Sequence, residues 1–228
     1  MLQHIIFSLC LHQNYKNMKK TILSLAVIAF MASCQSAPEG ETAKTADTQE
    51  AAKATGAAYK VDVANSTVSF LGTKPVGTHT GDFKLTDGSV NVENGNITSG
   101  SFTIDINSMK MTDKDTAYMG KLLGHLLSGD FFEATKYPTS KFEITACEAV
   151  TGDANTTHKI SGNLTLKDST KNVSFPAKVD LTDAGLKATA DFNIDRTQWG
   201  LFYGNDKSLG DKFIYPEVKI TLNISATK

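Results

Sequence analysis

The sequence predicts an all-β domain, a closed antiparallel β-barrel of about eight strands with one amphipathic helix. Three observations predict it. Apolar and polar side chains alternate with period two in segment after segment beyond Ala58, as in strands with one dry and one wet face. Turn dipeptides separate these segments at short spacing, which makes neighbouring strands antiparallel. One stretch alone repeats its apolar residues at helical intervals.

The strands are legible in chain order. Phe102, Ile104 and Ile106 share one face, as do Ile160, Leu164 and Leu166. Leu186, Ala188, Ala190, Phe192 and Ile194 alternate with Lys187, Thr189, Asp191, Asn193 and Asp195. Val218, Ile220, Leu222 and Ile224 alternate with Glu217, Lys219, Thr221 and Asn223. The expected turns are Asp87-Gly88, Asn94-Gly95, Gly152-Asp153 and Ala184-Gly185. Pro176 belongs at an edge or a bulge, because it cannot donate to a ladder.

The helix carries Met119, Leu122, Leu123, Leu126 and Leu127 on one face. Asp113-Lys114-Asp115 is expected at its start, where acids suit the helix dipole. Ser128-Gly129 is expected to stop it, with Gly in the left-handed conformation of a C-terminal cap. Pro138 bars further helix, and Phe142 and Ile144 then alternate with Lys141 and Glu143 as a strand. So many one-sided strands are best covered by closing the sheet, which also removes its edges. An outer-membrane barrel alternates too, with its apolar face outward; the lipoprotein signal described next and the lack of aromatic girdles oppose it.

Met18-Lys19-Lys20 followed by the apolar run Thr21–Met31 has the layout of a secretory signal, and it is shorter than the ~20 residues needed to span a bilayer. Translation is therefore expected to start at Met18, with residues 1–17 a mis-assigned start. Met31-Ala32-Ser33-Cys34 resembles a bacterial lipobox, so residues 18–33 read as a lipoprotein signal peptide and Cys34 as the lipid acceptor. Residues 34–57 are rich in Ala, Thr, Glu and Lys and have no aromatic. They are expected to form a flexible tether to a domain at 58–228. The implied location is the bacterial envelope, lipid-anchored and facing the periplasm.

Loss of residues 1–33 leaves 20 basic against 24 acidic side chains, a net charge of −4. That opposes nucleic acid and electrostatic membrane docking as functions. Of the cysteines, Cys10 lies in the prefix and Cys34 takes the lipid, so Cys147 has no disulfide partner. It reads as a small hydrophobe within a strand. His79, His125 and His158 are far apart and lack metal-ligand spacing. No G-x-S-x-G or C-x-x-C is present, and no cofactor, metal or catalytic residue is expected. His125, between Leu123 and Leu126, is expected to bond a nearby carbonyl.

The run His125-Leu126-Leu127-Ser128-Gly129-Asp130-Phe131-Phe132, then Tyr137-Pro138, then a strand, resembles the YceI family of bacterial lipid-binding proteins. Gly162 to Val173 and Phe192 to Gly200 match the family in the same order, so the resemblance covers most of 58–228. It implies an elongated, lipocalin-like barrel with its helix outside or at one end. It also implies a non-catalytic role, in which a long isoprenoid lipid or prenyl quinone lies in an apolar tunnel, and members that can dimerise.

The interior of a small barrel is either filled by side chains or left open for one ligand, and composition leaves both open. The expected cavity residues are Phe70, Phe83, Phe102, Ile104, Phe142, Ile144, Leu164, Phe175, Phe192, Ile220 and Leu222. His79, Arg196 and Trp199 are candidates for the barrel mouth, Arg196 facing a polar headgroup. The plainer alternative has Arg196 capping strand-end carbonyls and Trp199 plugging the barrel. If the interior is filled, the alternative function is an envelope lipoprotein that acts through a protein partner. An enzyme would need convergent polar groups inside, and the inward faces are almost wholly apolar.

Overall fold

The computed structural model describes residues 36–114 and 116–228. The signal peptide, its prefix and the expected lipidation site Cys34 lie outside the described residues. Among the described residues ten strands and one α-helix follow in order: β1 Lys44–Ala46, β2 Ala57–Val61, β3 Thr67–Lys74, β4 Gly77–Glu93, β5 Asn96–Met111, α1 Thr116–Leu127, β6 Thr139–Ala149, β7 His158–Leu166, β8 Ser169–Leu181, β9 Gly185–Asp195 and β10 Glu217–Thr227. Short 3₁₀ turns at Arg196–Trp199 and Lys207–Lys212 lie between β9 and β10.

Every strand pairing is antiparallel. β4 through β10 pair in sequence, apart from the helical excursion, and β10 returns to β3 and β2. β2 and β3 both lie between β4 and β10, so they form one broken stave, and the barrel closes with eight. The break is an Asx-type turn: Asp62 accepts from the Ala64 and Asn65 backbones.

The alternation read from the sequence is the inside–outside alternation of this wall. Phe192 and Ile194 are buried inside, and Val218 to Ile224 pack against them. The Asn94-Gly95 turn joins β4 to β5 with both residues at positive φ, 51° and 77°, as a tight hairpin requires. Asp87-Gly88, by contrast, is no turn. It lies within the long strand β4, beside a register shift, with Gly88 opposite Phe102. A Cβ there would come 2.8 Å from Val61, so Gly serves close packing, which a dipeptide read alone cannot distinguish from a turn.

Two expectations for the helix differ from the structure. Gly129 does not take the left-handed conformation; Glu133 does, at φ 49°. The helix ends instead through Ser128, whose Oγ donates to the His125 carbonyl at 2.7 Å. Phe132 N and Ala134 N close the Leu126 and Leu127 carbonyls. Asp113 does not serve the helix dipole either; it turns back to β4, as described below.

The segment expected to be a flexible tether is pinned along the wall over its described residues. Glu41 and Ala43 exchange backbone bonds with Asn193 at 2.8 Å, and β1 pairs with β8 at Lys44↔Ser174, Thr45↔Val173 and Ala46↔Asn172. β1 therefore fills the gap where β8 and β9, paired only over Lys178–Leu181, part from one another. The chain then crosses the outside of the barrel: Gln49 meets Asn163, Ala52 N donates to the Ile144 carbonyl, and Thr98 Oγ1 donates to the Thr55 carbonyl. Composition missed this because main-chain ladder bonds need no apolar side chain. Of residues 41–57 only Ala43 is buried. Pro176 sits in the break between the part of β8 that pairs β1 and the part that pairs β9, where a missing N–H is tolerated.

Candidate functional site: an apolar cavity through the barrel

The barrel encloses a cavity of about 550 Å³, within the ≈300–1,000 Å³ range of small-molecule sites. All eleven side chains expected to face it line it. They fall into two groups along its length. Phe70 and Phe83 lie near α1, their ring centroids 5.5 Å apart, with Phe132 edge-on to Phe83 at 5.7 Å. Phe102, Phe142, Phe175 and Phe192 form a chain of rings along the other wall, with centroids at 6.2, 5.9 and 4.0 Å, the last pair stacked at 9°.

Glycines on the inward face make room for these rings. Gly81 is the direct cross-strand partner of Phe70, and a Cβ there would sit 2.6 Å from the ring. Gly162 pairs with Ile144, and the Phe142 ring leans over it diagonally, 2.3 Å from where a Cβ would sit. Period-two reading marks such glycines as gaps in an apolar face, so their part in shaping the lumen was not foreseen.

Among the described residues the lumen holds little polar chemistry. No group of three His, Cys, Asp or Glu could hold a metal. Ser140, which lines the cavity, donates from Oγ to the Thr165 carbonyl at 2.7 Å. Thr73 Oγ1 is buried without a partner and lines the end near α1. No helix among the described residues is long and apolar enough to cross a membrane.

The three mouth candidates separate. Arg196 lines the cavity but is only 4 % exposed. Its guanidinium donates to the Tyr215, Leu201 and Ile214 carbonyls, stitching the end of β9 to the loop before β10. Burial lowers its pKa and the Asp195 charge partly offsets this; it remains the cation its carbonyl partners need. Arg196 therefore caps carbonyls, the plainer of its two readings. Trp199, 1 % exposed, is not at the mouth and does not line the cavity. It is packed into the core, its Nε1 donating to the Leu164 carbonyl at 2.9 Å. His79 does lie at the mouth, on the inward face of β4.

His125 also lines this end, but bonds a carboxylate rather than the expected carbonyl: its Nε2 lies 2.9 Å from Asp130 Oδ2. Its ring stands edge-on to Tyr203, centroids 4.5 Å apart, joining α1 to the β9–β10 loop. Neither the carboxylate nor the tyrosine is readable from the helix periodicity that placed His125.

Residues 59–226 match the YceI-like domain. The chain belongs to the YceI-like family. The match runs through the barrel from Tyr59 within β2 to Ala226 within β10. A UPF0312 protein of Pseudomonas aeruginosa is 36% identical over 99 residues, which are 43% of this chain and 48% of that protein. The chain thus spans about half the length of the curated relatives it matches. Burkholderia cenocepacia BcnA superposes with a TM-score of 0.60 at 25% identity, covering 73% of this chain and 99% of that one. A polyisoprenoid binding domain from Saccharophagus degradans superposes at 0.56 and 18% identity, covering 74% and 97%, a likeness of fold.

Proposed function

We propose that this YceI-like barrel binds a long apolar lipid, an isoprenoid such as a prenyl quinone or polyprenyl species, and stores or carries it at the bacterial envelope, held to a membrane by lipid on Cys34. The observation that carries the reading is the open cavity with its aromatic and aliphatic wall. At about 30 Å³ per water-sized group the volume takes roughly eighteen heavy atoms, between three and four isoprene units. Burying these at about 0.8 kcal/mol per methylene releases roughly 14 kcal/mol. Micromolar affinity needs about 8 kcal/mol, and the difference is available to offset ordering of the chain. The polyisoprenoid binding domain of the same fold supports this ligand class.

The cavity opens beside α1, where Tyr118 and Tyr203 both line it and reach solvent. Val76, Phe202 and Leu209 are large exposed apolar side chains at the same end. They also favour a second reading, an envelope protein that meets a protein partner or a second copy of itself through this rim.

The test is to purify residues 35–228 from a bacterial envelope, extract with organic solvent and analyse the extract by mass spectrometry. A stoichiometric isoprenoid lipid is the expected result. Its absence, together with no uptake of an added isoprenoid, would sink the carrier reading and leave the partner reading.

A further inference from the structure

We propose that His79 and the polar notch beside it form the headgroup site of the barrel, and that the head it takes is a hydroxyl that donates a hydrogen bond to His79 Nε2. This rests on the reading of the cavity as a lipid tunnel and adds which end of the lipid is recognised, and how.

His79, Gly81, Phe83 and Leu85 stand at alternate positions of β4 and line or adjoin the lumen, with His79 outermost. His79 and Tyr118 also line a second, more open cavity of about 530 Å³, whose other walls include Thr78, Thr80, Thr112 and Lys114. The two spaces share these residues, so the polar walls begin where the apolar tunnel ends. A chain molecule with one polar end, its tail among the phenylalanines, would place its head here.

The hydrogen bonds decide what His79 can offer. Asp113 Oδ2 lies 3.0 Å from His79 Nδ1, while Oδ1 accepts from Thr80 N at 2.9 Å and Thr80 Oγ1 at 3.0 Å. Thr112 Oγ1 donates to Thr80 Oγ1 at 2.9 Å, completing the chain. Burial opposes ionisation of Asp113, but the bonds from His79 and Thr80 outweigh it and lower its pKa. An ionised carboxylate can only accept, so the His79 proton is on Nδ1. Nε2 has no partner among the described residues. In the neutral ring it presents a lone pair, which recognises a donor and gives nothing to an ether or a carbonyl. Asp113 is a positioning residue, since it acts by fixing the tautomer.

The decisive comparison is between a C20 isoprenoid alcohol and its methyl ether, which share tail and oxygen and differ in the donor. Affinities are measured by competition on residues 35–228 stripped of lipid, alongside ¹⁵N spectra of the histidine rings. The wild type should bind the alcohol about tenfold tighter, the worth of one hydrogen bond, and the His79 Nε2 resonance should move with the alcohol and not with the ether. His79→Phe should lose the preference and bind the alcohol and the ether with equal affinity. Asp113→Asn should weaken the preference and change the tautomer balance in the spectrum. Equal affinities in the wild type, or a preference that survives His79→Phe, would overturn the headgroup site while leaving the tunnel intact. Failure of the wild type to bind either compound would overturn the tunnel and the headgroup site together.

Discussion

Asn163 binds both main-chain polar groups of Gln49. Gln49 N donates to Asn163 Oδ1 at 3.1 Å, and Asn163 Nδ2 donates to the Gln49 carbonyl at 2.7 Å. A side-chain amide on β7 thus imitates a neighbouring strand and holds a segment 114 residues away. Asn172 Nδ2 supports the same oxygen at 3.0 Å, and Asn193 Nδ2 holds the Pro38 carbonyl at 2.8 Å. Three asparagines, of which Asn193 reads from the sequence as a wet-face position, fasten the N-terminal strap.

Removal of the strap should therefore cost stability. A chain beginning at Gly56 is expected to melt at lower temperature, with faster amide exchange in β8 and β9 where β1 had paired. An unchanged Tm would mean that the strap is a passenger. Asn163→Ala should be destabilised by about 1–3 kcal/mol, because it leaves the buried Asn172 amide without its Asn163 acceptor and releases Gln49, as denaturant unfolding would measure.

The aromatic–glycine pairs give a second prediction. Gly162→Ala drives a Cβ into the Phe142 ring and to 2.8 Å from the Glu143 carbonyl. It should lose roughly 1–3 kcal/mol, the usual cost of overpacking, and should alter the near-ultraviolet signal of the phenylalanine chain. Equal stability in the variant would show that the ring moves freely.

Filling the lumen separates binding from folding. Ala190 lines the cavity between Ala188 and Phe192. Ala190→Phe occupies that space and should cut isoprenoid uptake at least tenfold with circular dichroism unchanged. Uptake that persists would place the ligand elsewhere.

Burial pushes the Cys147 thiol up to about 11, helped by the Glu148 charge. At pH 8 its alkylation should be about a hundredfold slower than that of a free cysteine with pKa near 8.5, and unfolding should abolish the difference. The sign for stability follows: the protonated thiol is favoured in the fold, so its contribution is complete below about pH 8.5 and is lost as pH rises toward 11. Rapid alkylation of the folded chain would refute the burial.

What the sequence by itself determined is what period-two burial determines: which faces of β5, β7, β9 and β10 turn inward, that the sheet closes, and that eleven apolar side chains share its interior. Those are local consequences of the pleat and of the need to hide one face of every strand. The tertiary structure alone decided what depends on partners distant in sequence. Whether Asp87-Gly88 turns or continues depends on Phe102 and Val61, and whether Asp113 serves a helix or a histidine depends on β4. Residues 41–57 carry no apolar signal and are ordered by main-chain bonds to β8 and β9 and by side chains of β5 and β7. The cavity itself is a residual volume. Alternation says which residues face it, but the space left over is set by strand number, by glycines opposite phenylalanines and by where α1 packs, and these quantities exist only once the barrel has closed.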